Sequence, residues 1–84
     1  MIKIWSDEAW HDYLYWQTQD KKTLKRINKL IQDIERNGSK GIGKSENLKA
    51  RKGFSRRIDE ANRLVFDIED DKLLIASCRG HYED

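Results

Sequence analysis

Residues 1 to 5, Met-Ile-Lys-Ile-Trp, alternate between apolar and polar side chains and are rich in β-branched and aromatic types. That period of two predicts a short first strand. Ser6 then has the character of a helix N-cap, with Asp7 and Glu8 in the first turn, where negative charge complements the helix dipole. The helix is predicted to run to about Gln17, with Trp10, Tyr13 and Leu14, continuing to Trp16 or Gln17, along one side. Asp20 is a second capping residue. From Lys21 to Arg36, Leu24, Ile27, Leu30, Ile31 and Ile34 recur at spacings of three and four, which predicts an amphipathic helix ended by Asn37-Gly38. The two helices form a hairpin jointed near Thr18 to Asp20.

The pattern changes after Gly38. Residues 38 to 45 contain three glycines, two lysines and no apolar period, which predicts a mobile loop, with a short strand near Lys49 beyond it. Phe54 to Glu60, Arg63 to Glu69 and Lys72 to Arg79 then read as three strands with tight joints at Ala61-Asn62 and Asp70-Asp71. Joints so short make these strands antiparallel. In the middle one, Leu64, Phe66 and Ile68 are expected beneath the helices, and Arg63, Val65 and Asp67 on the open face. The expected fold class is α+β, two N-terminal helices on a small, mainly antiparallel sheet.

Composition narrows the function. At 84 residues the chain is one domain, and a domain of that size buries only roughly 60–70% of its unfolded surface, so a partner or a second copy adds stability. Charged residues (38%) are balanced by enough periodic apolar ones (37%) to build a core, which argues against disorder. The single cysteine, Cys78, allows no internal disulfide framework. Neither a membrane-spanning run nor a secretory leader is apparent, so a cytoplasmic location is expected.

The net charge of +2 is modest, but its placement is uneven. Lys40, Lys44, Lys49, Arg51, Lys52, Arg56, Arg57 and Arg63 face only Glu46, Asp59 and Glu60 over the same stretch, a local excess that attracts a polyanion.

One motif is rejected. Gly38 to Ser45 matches the phosphate-binding pattern G-x-x-x-x-G-K-[ST] at every fixed position. That motif works between a buried strand and a following helix, whereas here a helix precedes it and a basic, non-periodic stretch follows. Cys78, His11 and His81 show no metal-site spacing, so neither a metal nor a cofactor is expected. A DNA-reading role finds no helix-turn-helix to support it.

The last half of the chain holds the residue types that RNA cleavage needs. A 2′-OH attacks its own adjacent phosphate when a base takes its proton, a cation stabilises the phosphorane, and an acid protonates the departing 5′ oxygen. Arginine suits the middle task because its fork of donors matches phosphate oxygens and keeps its charge. Glu46, Lys49, Arg56, Arg57, Arg63, Arg79, His81 and Tyr82 supply these types.

Several segments in order resemble the YoeB/Txe toxins of the RelE superfamily: Ile4-Trp5-Ser6, the run from Trp10 to Trp16, the run from Lys25 to Ile31, Gly53 to Ile58, Asn62 to Phe66, and Cys78-Arg79-Gly80-His81-Tyr82. The resemblance implies a microbial-RNase-like (RelE-like) fold and ribosome-dependent cleavage of mRNA in the decoding site. Glu46 matches the family's general base, Arg63 its transition-state-stabilising arginine and His81 its general acid, with Tyr82 as a stacking group. Lys49 and Arg57 match positions used for phosphate contact or charge stabilisation, and Lys44 and Arg56 join them as candidate RNA contacts from the basic stretch. The implied partners are a YefM/Axe-type antitoxin, the ribosome and mRNA, and a second toxin copy, with operator DNA reached only through the antitoxin. A carboxylate among many cations is a weaker base, so Glu46 either gains basicity from burial or from RNA phosphates, or it orients the 2′-OH. The alternative function is a non-catalytic relative that binds ribosome or antitoxin, which the joint presence of Glu46, Arg63, His81 and Tyr82 disfavours. This chain departs from the family in carrying Glu83 and Asp84 beyond the tyrosine, and in having Ser55 after Phe54 where some relatives have a bulky aromatic residue.

Overall fold

The computed structural model describes residues 1–39 and 45–80. Its elements run β1 (Ile2–Trp5), α1 (Asp7–Gln19), α2 (Lys21–Asn37), β2 (Glu46–Asn47), β3 (Phe54–Arg57), β4 (Arg63–Glu69) and β5 (Lys72–Ser77). The five strands form one sheet in the order β1-β5-β4-β3-β2. The first strand lies parallel to the last, Ile2 opposite Lys72, and every other neighbouring pair is antiparallel. The two helices cover one face, giving the expected α+β architecture. None of the described helices is long and apolar enough to cross a membrane.

Local chemistry sets the helix ends. Ser6 accepts from the Ala9 amide at 3.0 Å and donates its hydroxyl to the Ala76 carbonyl at 2.7 Å, so the cap of α1 also fastens it to β5. Asp20 alone joins the helices, a tighter joint than expected. Its amide donates to Trp16 O and closes α1, while its carboxylate accepts from Lys22 N and the Thr23 hydroxyl and opens α2. Those hydrogen bonds, that of Thr23 foremost, hold the Asp20 carboxyl below its ordinary value. Gly38, at φ +69°, ends α2 with its amide on Ile34 O at 2.8 Å.

The core joins α2 to the sheet through Ile27, Leu30, Ile31 and Ile34 against Leu64, Phe66, Leu73 and Ile75, with Leu24 half-buried at the margin. On α1 the buried stripe differs from the expected one. Ala9 and Trp16 are buried and Tyr13 packs partly against the core, whereas Trp10 and Leu14 are 46% and 40% exposed. Cys78 explains the rotation. The chain is buried there just beyond β5, and an unpaired buried amide or carbonyl is costly. Asp12 accepts from Cys78 N at 2.9 Å and Trp16 Nε1 donates to Cys78 O at 2.8 Å, so both groups are satisfied by α1. Trp10 instead lies over Tyr13 and edge-on to Trp5 near the surface.

Two strands end earlier than expected. Asp59 draws the amides of Ala61 and Asn62 to its carboxylate at 2.8 and 2.7 Å, turning the chain soon after Arg57. The short strand after α2 is Glu46–Asn47, so Lys49 lies beyond it in a bend. The expected alternation of β4 holds for Leu64 and Phe66 in the core. Val65, on the other face, is also buried. There, β5 carries an extra residue: Val65 pairs with Ser77 but Phe66 with Ile75, which leaves Ala76 as a bulge. Gly53 is required by close approach, since a Cβ at its φ of +136° would lie 2.9 Å from Phe66 O.

Burial, with a smaller contribution from the Asp12 charge, pushes the Cys78 thiol up from 9.0 to about 12. Because the fold favours the protonated thiol, its contribution to stability is complete below the unfolded value of 9.0 and is lost as pH rises towards about 12. Native protein in mildly alkaline buffer is therefore expected to resist iodoacetamide, with labelling appearing only across the urea unfolding transition. Labelling of folded protein at the rate of a free cysteine would contradict this placement.

Candidate active site on the open sheet face

The face opposite the helices is built where β2, β3 and β4 run side by side. Glu46 stands opposite Ser55, Ser55 opposite Val65, and Arg57 opposite Arg63. The side-chain period of two therefore sends Glu46, Ser55, Arg57 and Arg63 to one face. Arg63 is the centre of the group. One terminal nitrogen lies 3.6 Å from Glu46 Oε1, and the other donates to Ser55 Oγ at 3.4 Å. Its side chain is only 12% exposed, against 53% for Glu46, so a nearly sheltered cation meets a solvent-facing carboxylate.

The spacing is that of an ion pair, longer than a good charged hydrogen bond. An anion arriving at the guanidinium can thus compete for donors that Glu46 does not saturate. Arg57 is exposed on the next strand, directly across from Arg63. Two like charges opposite each other in a sheet repel, and a shared phosphate removes that repulsion.

The C-terminal chain is led to the same place. After the bulge at Ala76 and the buried Cys78, Gly80 O accepts from Arg63 N at 3.0 Å and Gly80 N donates to Asn62 Oδ1 at 2.8 Å. Asn62 is itself held by the Asp59 carboxylate. Arg79 lays its guanidinium on the Tyr15 ring, 3.6 Å from the centroid.

Of the residues singled out from sequence, Glu46, Arg57 and Arg63 come together on this face, and Lys49 is exposed in the bend after β2. Arg56 does not join them. As the β3 neighbour of Arg57 it points to the helix side, is fully buried, and commits its fork to Asp33 at 2.6 Å, Ser45 at 2.8 Å and Gly38 O at 2.9 Å. The expectation that Arg56 contacts RNA is corrected accordingly: it is a structural cation. Lys44, His81 and Tyr82 lie outside the described residues. Ser55, which supports Arg63, is a site residue that charge and motif do not single out, although the alternation that exposes Arg57 places Ser55 on the same face. Lys52, part of the basic stretch, pairs with Asp67 and Glu69 at 3.8 and 3.6 Å.

An α+β fold with this strand order and an arginine-carboxylate pair on its open face invites comparison with known proteins. The family model for the YoeB-like toxin of bacterial type II toxin-antitoxin systems matches residues 5–82. The chain belongs to this family. Toxin YoeB of Escherichia coli K12 is 57% identical over 84 residues, spanning 98% of this chain and 100% of that protein. Among solved structures, the YoeB dimer from Staphylococcus aureus superposes with a TM-score of 0.92 at 45% identity, covering 98% of each chain. The YoeB-YefM complex from the same organism gives 0.90 at 44% identity, again covering 98% of each chain. As a family member the chain is a toxin of a type II toxin-antitoxin system, and it shares the RelE-like architecture of those structures.

The Glu46 ion pair is half-exposed and loosely spaced, so it contributes little to folding. Glu46→Gln is expected to shift unfolding free energy by no more than about 1 kcal/mol in urea titration. A larger loss would show that Glu46 holds the fold rather than facing a substrate.

Proposed function

We propose that this toxin is a ribosome-dependent endoribonuclease that cuts mRNA in the decoding site without a metal. The observation that carries the reading is the pairing of Glu46 with a sheltered Arg63, with the exposed Arg57 directly across the sheet. In the proposed reaction the 2′ oxygen forms a bond to the adjacent phosphorus as its proton passes to Glu46. Arg63 and Arg57 hold the charge that builds on the phosphorane oxygens. The bond from phosphorus to the 5′ oxygen then breaks, and His81 gives that oxygen a proton. Tyr82 stacks on a base beside the cut, and Lys44 and Lys49 contact flanking phosphates. His81 directly follows Gly80 in the chain, and the hydrogen bond from Arg63 N to Gly80 O supports assigning the acid to a residue close in sequence to this contact.

The same reading assigns the partners. An antitoxin of the YefM type neutralises the protein, in keeping with the complex known for the Staphylococcus aureus relative. An acidic segment that orders on contact suits the basic face. A toxin homodimer is in keeping with the dimer from that organism. Operator DNA is reached through the antitoxin, and the site of action is the cytoplasm.

The test is to map RNA ends on purified ribosomes programmed with a defined message. Wild type is expected to leave a 2′,3′-cyclic phosphate and a 5′-OH within the decoding site. Arg63→Ala is expected to cut roughly 10²–10³-fold more slowly, the usual consequence of removing a transition-state donor. Glu46→Gln and His81→Gln are expected to relieve growth arrest in cells. Ribosome pausing with no new RNA ends would instead identify a non-catalytic binder, and ends bearing a 5′-phosphate would rule out 2′-OH attack.

A further inference from the structure

Arg56 is a fully buried cation that the reaction does not use directly. Stability alone is a poor reason for it, because buried ion pairs are commonly replaced by well-packed apolar residues without loss. Its geometry offers a better one. The three nitrogens of the guanidinium reach three separate groups on two stretches of chain: the Asp33 carboxylate on α2, the carbonyl of Gly38 at the end of that helix, and the hydroxyl of Ser45. Ser45 immediately precedes Glu46.

Glu46 needs such an anchor. Its strand is two residues long at the sheet edge, held by its pairing with Ser55 and Phe54 and followed by the bond from Leu48 N to Gly53 O. So short a pairing is marginal on its own. The face of Phe66 supports the guanidinium 5.9 Å away, fixing it relative to β4, the strand that carries Arg63. A single rigid group under the sheet therefore refers the position of Glu46 to the element that bears its partner.

We propose that Arg56 is a positioning residue: by holding Ser45 from the helix side of the sheet, it sets Glu46 against Arg63 on the open side. The inference rests on the reading of Glu46 as a participant in RNA cleavage, and it adds a residue that never touches the substrate. Arginine is required rather than lysine, since a single ammonium cannot reproduce the planar fork that addresses three groups at once.

The gentle variant is Ser45→Ala, which removes one bond of the anchor and leaves the buried Arg56 with Asp33 and Gly38. Arg56→Lys is the companion. Both are to be compared with the parent and with Glu46→Gln on programmed ribosomes, alongside urea stability and amide hydrogen exchange by NMR. The expected result for Ser45→Ala is faster exchange at the amides of Glu46 to Leu48. Its kcat for cleavage falls roughly tenfold with KM little changed, as expected when a reacting group is misplaced. Arg56→Lys is expected to show the same split per folded molecule. Adding Ser45→Ala to Glu46→Gln is expected to lower the residual rate no further, because the one acts through the other.

Unchanged exchange at Glu46 to Leu48 in Ser45→Ala overturns the anchoring. Altered exchange with undiminished kcat, while Glu46→Gln is inactive, overturns the positioning role and leaves the proposed cleavage reaction intact. A fully active Glu46→Gln overturns the cleavage assignment itself, and with it the role given to Arg56.

Discussion

The fold depends on how the chain is held at Cys78. The last strand ends just before it in a buried position, and a backbone that leaves a sheet inside a core has lost its ladder partners. Asp12 and Trp16, four residues apart on one helix, take up the amide and the carbonyl. This fixes the rotation of α1, and with it the burial of Ala9 and Trp16 while Trp10 stays near the surface. It also fixes where the chain goes next. Arg79 is laid on Tyr15 of α1 and Gly80 is delivered to the start of β4, beside Arg63, so one pair of hydrogen bonds couples helix orientation to the course of the chain past the candidate site.

The site itself sits on the least regular part of the sheet. Arg63 is carried by a long strand inside the sheet, sheltered and supported by Ser55, whereas Glu46 sits on the shortest strand at its edge. The cation is rigid and the carboxylate is held by fewer contacts. For the cleavage proposed above, in which charge grows on phosphate oxygens, that division is sensible: the arginine assigned to stabilise it is preorganised at low reorganisation cost. Two arginines, Arg56 and Arg57, are adjacent in sequence yet do opposite things. One fixes the strands from below while the other faces solvent, a direct consequence of a side-chain period of two.

Much of this architecture is legible in the amino-acid sequence. The amphipathic period of α2, the caps at Ser6 and Asp20, the hairpin at Asp70-Asp71 and the shared face of Leu64 and Phe66 all follow from local rules, and each is found where those rules put it. The features that local rules miss are decided by distant partners. Trp16 is one option among several for the buried face of α1, because nothing in residues 7 to 19 reveals that Cys78 needs a donor. The early end of β3 depends on Asp59 capturing two amides, and the bulge at Ala76 shifts register by one residue without a glycine to announce it. Charge density makes Arg56 resemble an RNA contact because it says nothing about side. Once the strand limits of β3 are known, the alternation that exposes Arg57 requires Arg56 to be covered, and the matching carboxylate on α2 is Asp33.

The parallel pairing of β1 with β5 has a bearing on the integrity of the fold rather than on its chemistry. The first strand is closed by partners far along the chain, since Ile2 lies opposite Lys72 and Ser6 hydrogen-bonds to both Ile75 and Ala76. Contacts that span almost the whole sequence form late and carry the largest loop-closure cost. The two helices and the β4-β5 hairpin can form from neighbours alone, whereas the first strand has no ladder until it meets β5. A fold closed this way ties its first strand and the cap of α1 to one distant strand, so loosening β5 frees both at once.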